Sequence, residues 1–284
     1  MDIFLLEAVI NGLLLGGVVA LLALGLNLIF GVIDVVWIAY ADLVMCGMYV
    51  LFWLYAQEHW PLALACAAAI ASVAVLGVLV HLLIIAPILG TAPINQLLAT
   101  GGLLFFLQSF ATLLFGTDFR NIGVRLPSIV LGDMSISSAR LLAFAVAIVG
   151  AAALWVFLRR TFVGTAIRAI AQDRDIVGLM GVDQRNVYLV TSAIGGGLAG
   201  VAACLLSLQY DVHPFIGNTF GPLIFMTCVL GGLGDMIGGC VAAFVLSLII
   251  AVGGYYWSTE LSYVIAFTLF IVLMFVRPRG IMVR

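Results

Sequence analysis

Long apolar runs are the feature that most restricts how this chain can fold. The run from Ala8 to Ile33 contains no charged residue, and similar runs recur to the end of the chain. About 20 consecutive apolar residues allow an α-helix to cross the hydrocarbon core of a bilayer. Because 65% of the 284 residues are hydrophobic and only 8% are charged, no water-soluble fold could hide this much apolar surface. The sequence therefore predicts an all-α polytopic membrane protein with a single domain over residues 1–284.

The apolar runs predict about eight to ten transmembrane helices. The N-terminus carries Asp2 and Glu7 but no basic residue, whereas a cleaved signal peptide would begin with positive charge, so we expect the first run to be a mature span. Nine spans are predicted at Ala8–Ile33, Val35–Tyr55, Leu62–Ala86, Leu97–Phe115, Leu141–Leu158, Val187–Leu208, Gly221–Leu233, Ile237–Gly253 and Leu261–Val276.

Arginine placement predicts the orientation. The chain has no lysine, and four spans separate its central polar stretch from its C-terminal tail, which puts both on one side of the membrane. The positive-inside rule places that side in the cytoplasm and the N-terminus outside. The net charge of -2 argues against a nucleic-acid partner. The arginines on the predicted cytoplasmic side are Arg159, Arg160, Arg168, Arg174, Arg185, Arg277, Arg279 and Arg284, and those on the other side are Arg120, Arg125 and Arg140.

The stretch from Arg159 to Arg185 is the one long polar interruption. Apolar residues at three- and four-residue spacing predict a short amphipathic helix around Ile167 and Ile170. Asp173 is placed to cap a second short helix, and Gly181 to end it in a left-handed conformation. Two such helices suit docking against another protein. Lying on lipid headgroups is the alternative interpretation.

Two carboxylates interrupt the apolar region near the N-terminus. Asp34 and Asp42 are separated by two helical turns if that region is helical, with Trp37 and Tyr40 between them. A carboxylate in the bilayer should face a cavity or find a partner, so these four residues predict a wall of a solute path. Alternatively, Asp34 caps a helix near the cytoplasmic face and the aromatic residues form an interfacial belt.

A dense glycine cluster is a second candidate for the solute path. Gly231, Gly232 and Gly234 precede Asp235, and such a cluster permits an unwound helix whose peptide groups could meet a polar solute. Close helix packing is the alternative. A polar group at the predicted external end of a span is either a docking surface for a solute-binding protein or an ordinary loop. It consists of Asp211, His213, Pro214 and Asn218.

A weak internal repeat accompanies these features. LGGVVALL, from Leu15 to Leu22, is similar to LAGVAACL, from Leu198 to Leu205, and Asp42-Leu43-Val44 echoes Asp235-Met236-Ile237. Opposite orientations of the two copies would give an inverted repeat with broken helices, an architecture that recurs in transporters. Chance similarity between two helices rich in glycine, alanine and leucine is the alternative.

Several motifs resemble the branched-chain amino acid ABC transporter permeases of the Liv type. The opening (Asn11-Gly12, Leu24-Gly25-Leu26 and Leu28 to Val32), the glycine segment Val229 to Asp235 and the terminal RPRG are similar to this family. The family's coupling segment, which contacts the ATPase subunits, resembles residues 159–185. The positions that match it or lie in the same segment are Gly164, Arg168, Ala169, Gln172, Asp173, Leu179, Met180 and Gly181.

The resemblance implies the permease subunit of an ABC importer, specifically the smaller, LivH-like permease. It implies four kinds of partner: a second, LivM-like permease, two ATP-binding subunits, an extracytoplasmic solute-binding protein and the lipid bilayer. The expected location is the cytoplasmic (inner) membrane of a bacterium or archaeon. No cofactor is expected in this chain, because ATP would be used by the partner subunits and the sequence has no P-loop.

A secondary transporter or channel that works without an ATPase is the alternative function. It would more often show an intramembrane ion relay, and the intramembrane charges here are sparse. We expect no enzymatic activity, catalytic residue or metal site, because no nucleophile or metal-ligand cluster stands near an interface.

One departure from the family's pattern bears on the identity of the solute. Where the family shows a run such as N-F-A-H-G-D, this chain has Trp37-Ile38-Ala39-Tyr40-Ala41-Asp42, which predicts an aromatic or larger hydrophobic carboxylate, or an amide.

Overall fold

Apolar helices account for nearly all of the fold. A computed structural model describes residues 3–124, 127–131, 134–277 and 280. Among these residues, seven helices are long and apolar enough to cross a membrane, and Ile216–Gly231 is a shorter apolar helix. The predicted all-α polytopic fold is therefore confirmed. Asp2, Arg125, Arg279 and Arg284, together with Pro278 of the terminal motif, lie outside the described residues.

The helices follow the predicted apolar runs closely. In chain order they are α1 (Ile3–Ile33), α2 (Tyr40–Phe52, continued by a π-helical turn Trp53–Gln57), α3 (Leu62–Val80, continued by a π-helical turn His81–Ile85 and a last turn Ala86–Ile88), α4 (Pro93–Phe115), α5 (Ser138–Arg160), α6 (Phe162–Gln172), α7 (Arg174–Leu179), α8 (Gln184–Leu206), α9 (Ile216–Gly231), α10 (Met236–Tyr256) and α11 (Thr259–Val276). The predicted polar loop between α4 and α5 contains an antiparallel hairpin of β1 (Ser128–Leu131) and β2 (Met134–Ser137), with Ser128 opposite Ser137.

The second span begins later than predicted. Residues 34–39 are not helical, and α2 begins at Tyr40 rather than at Val35. Asp34 closes α1 by donating its N–H to the Phe30 carbonyl at 2.8 Å and then adopts a left-handed φ of 62°. Aspartate tolerates this conformation better than most residues. The expected two-turn helical spacing between Asp34 and Asp42 is therefore wrong, and the two carboxylates belong to different parts of the fold.

The long helices α1 and α8, together with the short helix α2, supply much of the core. In the most apolar 18-residue stretch of each helix, the buried share is 83% for α1 and 67% for α8, but only 11% for α11. α1 packs most extensively against α10, and α8 packs most extensively against α3. Glycines bring α3 and α8 close together: a Cβ on Gly77 would lie 2.7 Å from the Ser192 carbonyl oxygen, and one on Gly196 would lie 2.7 Å from the Val73 carbonyl oxygen. Small residues allow such close approach between helices in lipid.

The two halves of the chain repeat one arrangement in opposite directions. A long helix (α1 or α8) is followed by a non-helical segment (34–39 or 207–215) and a shorter helix (α2 or α9). The C-terminus of α1 and the N-terminus of α8 line one pocket, through Ile33 and Gln184, so the two long helices run antiparallel. The similar octapeptides lie within α1 and α8, as the repeat requires. The predicted match between Asp42 and Asp235 is wrong. Asp42 is the third residue of α2, and the equivalent residue in the other half, the third of α9, is Asn218.

Candidate functional site

A cavity of about 580 Å³ lies between α1, α2, α4 and α9. Most of its wall is apolar and comes from four elements. Residues that represent this wall are Leu26, Ile38, Leu104, Pro222, Ile224 and Phe225. The volume is within the range of about 300 to 1,000 Å³ that is common for small-molecule sites. The cavity can therefore hold a small, largely apolar solute.

A polar cluster lies where the short helices α2 and α9 begin. Asp42 lines the cavity from the first turn of α2 and is 1% exposed, and Asn218 lines it from the first turn of α9. Gln108 of α4 connects them: its Nε2 donates to Asp42 Oδ1 at 3.0 Å and to Asn218 Oδ1 at 2.9 Å. One amide thus holds together the starts of two helices that belong to opposite halves of the inverted repeat.

Gly217 makes this approach of α2 and α9 feasible. A Cβ at that position would lie 2.5 Å from Asp42 Oδ1, a separation that real Cβ atoms essentially never show. A side chain at residue 217 would therefore displace the carboxylate from Gln108. Asp42 occupies its place because the neighbouring helix presents a bare backbone there.

The non-helical segment before α2 places two aromatic rings on the cavity. Trp37 and Tyr40 line it, with ring centroids 6.1 Å apart in an edge-to-face arrangement. The Tyr40 hydroxyl donates to the Gly195 carbonyl of α8 at 2.9 Å, and Gly25 of α1 leaves room for that hydroxyl. The Tyr40 hydroxyl is therefore used in a hydrogen bond between helices, and the ring is the part of Tyr40 that lines the cavity.

Three of the eight residues predicted for the solute path line this cavity: Trp37, Tyr40 and Asp42. Asp34 lies elsewhere. Its carboxylate approaches Arg174 of α7 at 3.6 Å, with side-chain exposures of 63% for Asp34 and 42% for Arg174. This placement matches the alternative in which Asp34 ends a helix near one membrane face. An exposed ion pair of this kind contributes at most about 1 kcal/mol to stability.

The glycine cluster lies at the end of α9, away from the cavity. Gly232 (φ 105°) and Gly234 (φ 86°) adopt left-handed conformations between α9 and α10, so the predicted break is present. Asp235 begins α10 by accepting from Ile237 N at 2.9 Å and from Gly238 N at 3.2 Å.

The break after α9 is packed rather than open to a solute path. Asn27 of α1 accepts from Gly234 N and donates to the Asp235 carbonyl, both at 3.2 Å. Gly231, the last residue of α9, approaches the backbone of Gly238 and Gly239 so closely that a Cβ would collide with it. These contacts match the close-packing interpretation for Gly231, Gly232, Gly234 and Asp235.

Gln108, Gly217 and Asn218 are site residues that sequence reasoning missed. Gln108 is an amide in the apolar run Leu97–Phe115, and a buried polar side chain within a membrane span is a signal that could have identified it. From the sequence, Asn218 belongs with Asp211, His213 and Pro214 to a docking surface or an ordinary loop at the end of a span. Pairing it with Asp42 required knowing that α9 begins at Ile216 rather than at Gly221.

The central polar stretch forms the two predicted short helices, α6 and α7. Gly164, Ala166, Ile167 and Ile170 of α6 are buried. Arg168, Gln172, Asp173, Met180 and Gly181 are exposed, with Met180 at 78%. Leu179 is the last residue of α7. The segment therefore presents a mixed polar and apolar surface away from the bundle, which we call the coupling surface (Arg168, Gln172, Asp173, Met180 and Gly181).

Two glycines in this segment have different roles. Gly181 adopts a φ of 81° after α7 and has no atom within 4 Å of the position of a Cβ, so the predicted left-handed turn is confirmed. Gly164 lies inside the segment instead. Its N–H donates to Thr161 Oγ1 at 2.9 Å, and a Cβ there would collide with the backbone of Phe157 and Leu158. Gly164 therefore seats α6 against α5 and is not part of the coupling surface.

At the end of the bundle opposite α6, two connecting segments are joined. Arg120 and Val212 exchange backbone hydrogen bonds of 2.9 and 2.7 Å, and Asn121 Nδ2 donates to Asp211 Oδ1 at 2.7 Å. The His213 ring lies 4.7 Å from the Phe119 ring. The predicted polar group at Asp211 and His213 is thus tied to the segment after α4.

Among the described residues, no group of three or more His, Cys, Asp or Glu side chains could hold a metal ion.

Comparison with known proteins gives one consistent family. The profile of the family described as "Branched-chain amino acid transport system / permease component" matches residues 8–274. The chain is 31% identical to the high-affinity branched-chain amino acid transport system permease protein BraD of Pseudomonas aeruginosa, over 98% of this chain and 96% of that protein. It is 30% identical to the corresponding permease protein LivH of Escherichia coli, over 99% of this chain and 96% of that protein.

A solved structure shares the fold. PsaBC from Streptococcus pneumoniae, in complex with a Fab, superposes with a TM-score of 0.51, and the match covers 98% of this chain and 94% of that chain. Its sequence identity of 17% supports similarity of fold alone.

Proposed function

Because the chain belongs to the branched-chain amino acid permease family of ABC transporters, we propose that the cavity between α1, α2, α4 and α9 is part of the path by which it imports a small amphipathic solute. The solute would be a branched-chain or other hydrophobic amino acid, or a related carboxylate or amide. The chain would act as a single membrane domain that performs no covalent chemistry and holds no cofactor.

The observation that carries this proposal is the polar cluster of Asp42, Gln108 and Asn218 in an otherwise apolar cavity. Burying an unpaired carboxylate within membrane spans costs free energy. Such a residue is therefore a candidate functional site. Transporters built from inverted repeats commonly bind solutes where short or broken helices of the two halves meet. The starts of α2 and α9 meet at this cluster, and the cavity wall supplies the apolar surface that a hydrophobic side chain requires.

The coupling surface supports a second part of the proposal, that ATP is hydrolysed by two ATP-binding partner subunits docked on α6 and α7. One face of α6 packs against the bundle, while Arg168 and Gln172 of α6 and Met180 after α7 are exposed. A pair of short helices with both charged and apolar exposed groups suits a protein partner. This end would face the cytoplasm of a bacterial or archaeal inner membrane, with the C-terminus on the same side, because it carries most of the arginines.

Two further partners complete the assembly in this proposal. A second, LivM-like permease would pack against exposed apolar side chains of the bundle. An extracytoplasmic solute-binding protein would deliver the solute at the opposite end from α6, where the bridge between Arg120 and Val212 joins two connecting segments. The experiment that tests the assembly is purification of an affinity-tagged chain from native membranes, followed by identification of the proteins retained.

We expect the tagged chain to retain a second permease and ATP-binding subunits. Replacement of Met180 and Arg168 by Ala should release the ATP-binding subunits while the second permease remains. Purification of the chain without any ATP-binding protein, in a form that transports the solute, would contradict the proposal and indicate a secondary carrier or channel.

A further inference from the structure

A second cavity, which we call the outer pocket, lies at the end of the bundle opposite α6. Its volume is about 700 Å³, and it shares no lining residue with the cavity between α1, α2, α4 and α9. The helices α1, α5 and α11 begin at this end, and α8 and α10 end there. The proposed function gives the outer pocket no role.

Opposite charges line the outer pocket without pairing. Glu7 of α1 and Arg140 of α5 both line it, yet neither side chain makes an ion pair or a hydrogen bond with a described residue. Burial raises the pKa of the Tyr210 hydroxyl and the positive charge of Arg140 opposes that rise, so the guanidinium lies near Tyr210. The outer pocket therefore offers one anion and one cation to a ligand.

The outer pocket is polar towards the end of the bundle and apolar towards its middle. Phe4, Glu7, Asn11 and Leu15 line it from one face of α1, at three- and four-residue spacing. At about 1.5 Å per residue they extend over roughly 16 Å, about half of the hydrocarbon core of a bilayer. Leu15, together with Ile250 of α10, forms the deeper apolar part.

Aromatic side chains at the rim place the polar end at the membrane interface. Tyr255 lines the outer pocket, and the neighbouring Tyr256 and Trp257 are 59% and 65% exposed. Tyrosine and tryptophan are enriched at the level of lipid headgroups. The charged end therefore lies at headgroup level, and the apolar part reaches the level of acyl chains.

We propose that the outer pocket binds a phospholipid with a primary-amine headgroup, whose ammonium group donates to the Glu7 carboxylate, whose phosphate accepts from Arg140 and whose acyl chain lies along Leu15 and Ile250. A zwitterionic headgroup matches two opposite charges that do not pair with each other. An anionic headgroup would leave Glu7 without a cation. This inference goes beyond the proposed function, because the lipid is bound and not transported.

Photo-cross-linking at residue 4 tests the outer pocket alone. Phe4 would be replaced by p-benzoylphenylalanine, and the full chain, with the subunits that it retains, would be placed in nanodiscs. These would contain equal parts of phosphatidylethanolamine and phosphatidylglycerol with identical acyl chains. Mass spectrometry after irradiation gives the ratio of the two lipid adducts. The same replacement at Trp60, which is exposed between α2 and α3 and does not line the outer pocket, gives the ratio for bulk lipid.

We expect the ratio of phosphatidylethanolamine to phosphatidylglycerol adducts to be roughly tenfold higher at residue 4 than at residue 60. Glu7→Gln should lower the ratio at residue 4 to that at residue 60, because the ammonium group loses its acceptor. Arg140→Gln should lower the yield of both adducts several-fold, because both lipids carry a phosphate. Glu58→Gln is the matched control, since it neutralises an exposed carboxylate outside the outer pocket and should leave the ratio at residue 4 unchanged.

Glycerophosphoethanolamine, the free headgroup, should not reduce the adducts when it is added at millimolar concentration, because it lacks acyl chains. Competition by it would assign the outer pocket to a soluble zwitterion and overturn the inference. Equal adduct ratios at residues 4 and 60 would overturn it, as would an adduct to a second permease in place of lipid, and neither result depends on a charge variant. The measurement requires no transport, so its failure is distinct from failure of the proposed function.

Discussion

At the scale of single residues, the site depends on the placement of one carboxylate. Asp42 is positioned by Gln108 from α4 and by the absence of a side chain at Gly217 of α9. The sequence predicts a role for Asp42 in a solute path, because an aspartate within an apolar region is rare. Its partners could not be predicted, because they lie 66 residues away along the chain, at Gln108, and on a helix whose start was misplaced.

Replacement of Gly217 by Ala should disturb Asp42 without preventing insertion. The added Cβ would lie 2.5 Å from Oδ1, so the carboxylate must move and its bond to Gln108 must weaken. We expect solute uptake to fall by roughly tenfold, the equivalent of one charge-assisted hydrogen bond. Gly102→Ala is the control, since a Cβ on this helical glycine of α4 would meet no atom within 4 Å. Equal uptake by the two variants would show that the position of Asp42 does not matter.

Trp37 allows a test of the solute path against the external receptor. Trp37→Ala should lower uptake by roughly tenfold or more, because a large buried side chain of the cavity wall is removed. Solute affinity of the separate binding protein should stay the same, since the receptor sets affinity and the path only passage. Trp37→Phe, which fills most of the same space, should lower uptake less.

Competition assays decide what the aromatic wall means for specificity. The departure from the polar run of the similar family at Trp37 and Tyr40 predicts that aromatic or larger hydrophobic carboxylates, or amides, compete for uptake. Efficient uptake of leucine, isoleucine and valine without competition by aromatic solutes would show that this exchange has no effect on specificity.

At the scale of elements, apolar length was the reliable signal and helix ends were not. The runs predicted nine spans, and each corresponds to a described helix: α1 to α5 and α8 to α11. The starts of α2 and α9 were misplaced because hydrophobicity continues through the non-helical residues 35–38 and because Pro222 lies inside α9. Periodicity found α6 and Gly181 identified the turn after α7, since both follow from local backbone rules.

The coupling surface should transmit ATP hydrolysis to the bundle. We expect Arg168→Ala and Gly181→Ala to uncouple uptake from ATP hydrolysis while the protein remains inserted. Arg168 is exposed on α6, and a Cβ at the left-handed Gly181 should strain the turn by about 1 kcal/mol or more. Uptake and ATPase stimulation would be measured together in proteoliposomes.

Gly116 supplies a matched control for Gly181. It has a φ of 76° and open space around the Cβ position, but it ends α4 at the other end of the bundle. Because its ψ of −170° lies in a region that is open essentially to glycine alone, Gly116→Ala should carry at least as much strain and still leave coupling intact. Wild-type uptake with unchanged ATPase stimulation in both Arg168→Ala and Gly181→Ala would refute a coupling role for α6 and α7.

Close packing of α3 against α8 predicts opposite effects for two adjacent glycines. A Cβ on Gly196 would lie 2.7 Å from the Val73 carbonyl oxygen, whereas one on Gly197 would lie 3.9 Å from its nearest neighbour, Ala74. Gly196→Ala should lower the melting temperature of the purified protein because the helices must separate. Gly197→Ala should leave it unchanged or raise it, because alanine favours a helix by about 1 kcal/mol over glycine. Equal melting temperatures would show that the two helices separate without loss.

At the scale of the whole molecule, the inverted repeat explains why the site lies where it does. The long helices α1 and α8 run antiparallel through the core, and the short helices that follow them begin beside each other at Gln108. The octapeptide similarity indicated the repeat, but it could not show which polar residues are paired, because Asp42 and Asn218 share a position and not a residue type. The coupling surface and the cavity lie on different parts of this frame, as the proposed ATPase docking and the proposed solute path require.

Uptake by reconstituted proteoliposomes tests this account most directly. We predict that labelled solute accumulates only when the chain is assembled with the second permease, the ATP-binding subunits and the solute-binding protein, and only when ATP is hydrolysed. Asp42→Ala should abolish accumulation while the assembled subunits still hydrolyse ATP. Accumulation by the chain alone, driven by an ion gradient and unaffected by Asp42→Ala, would contradict both the proposed ABC importer and the proposed path.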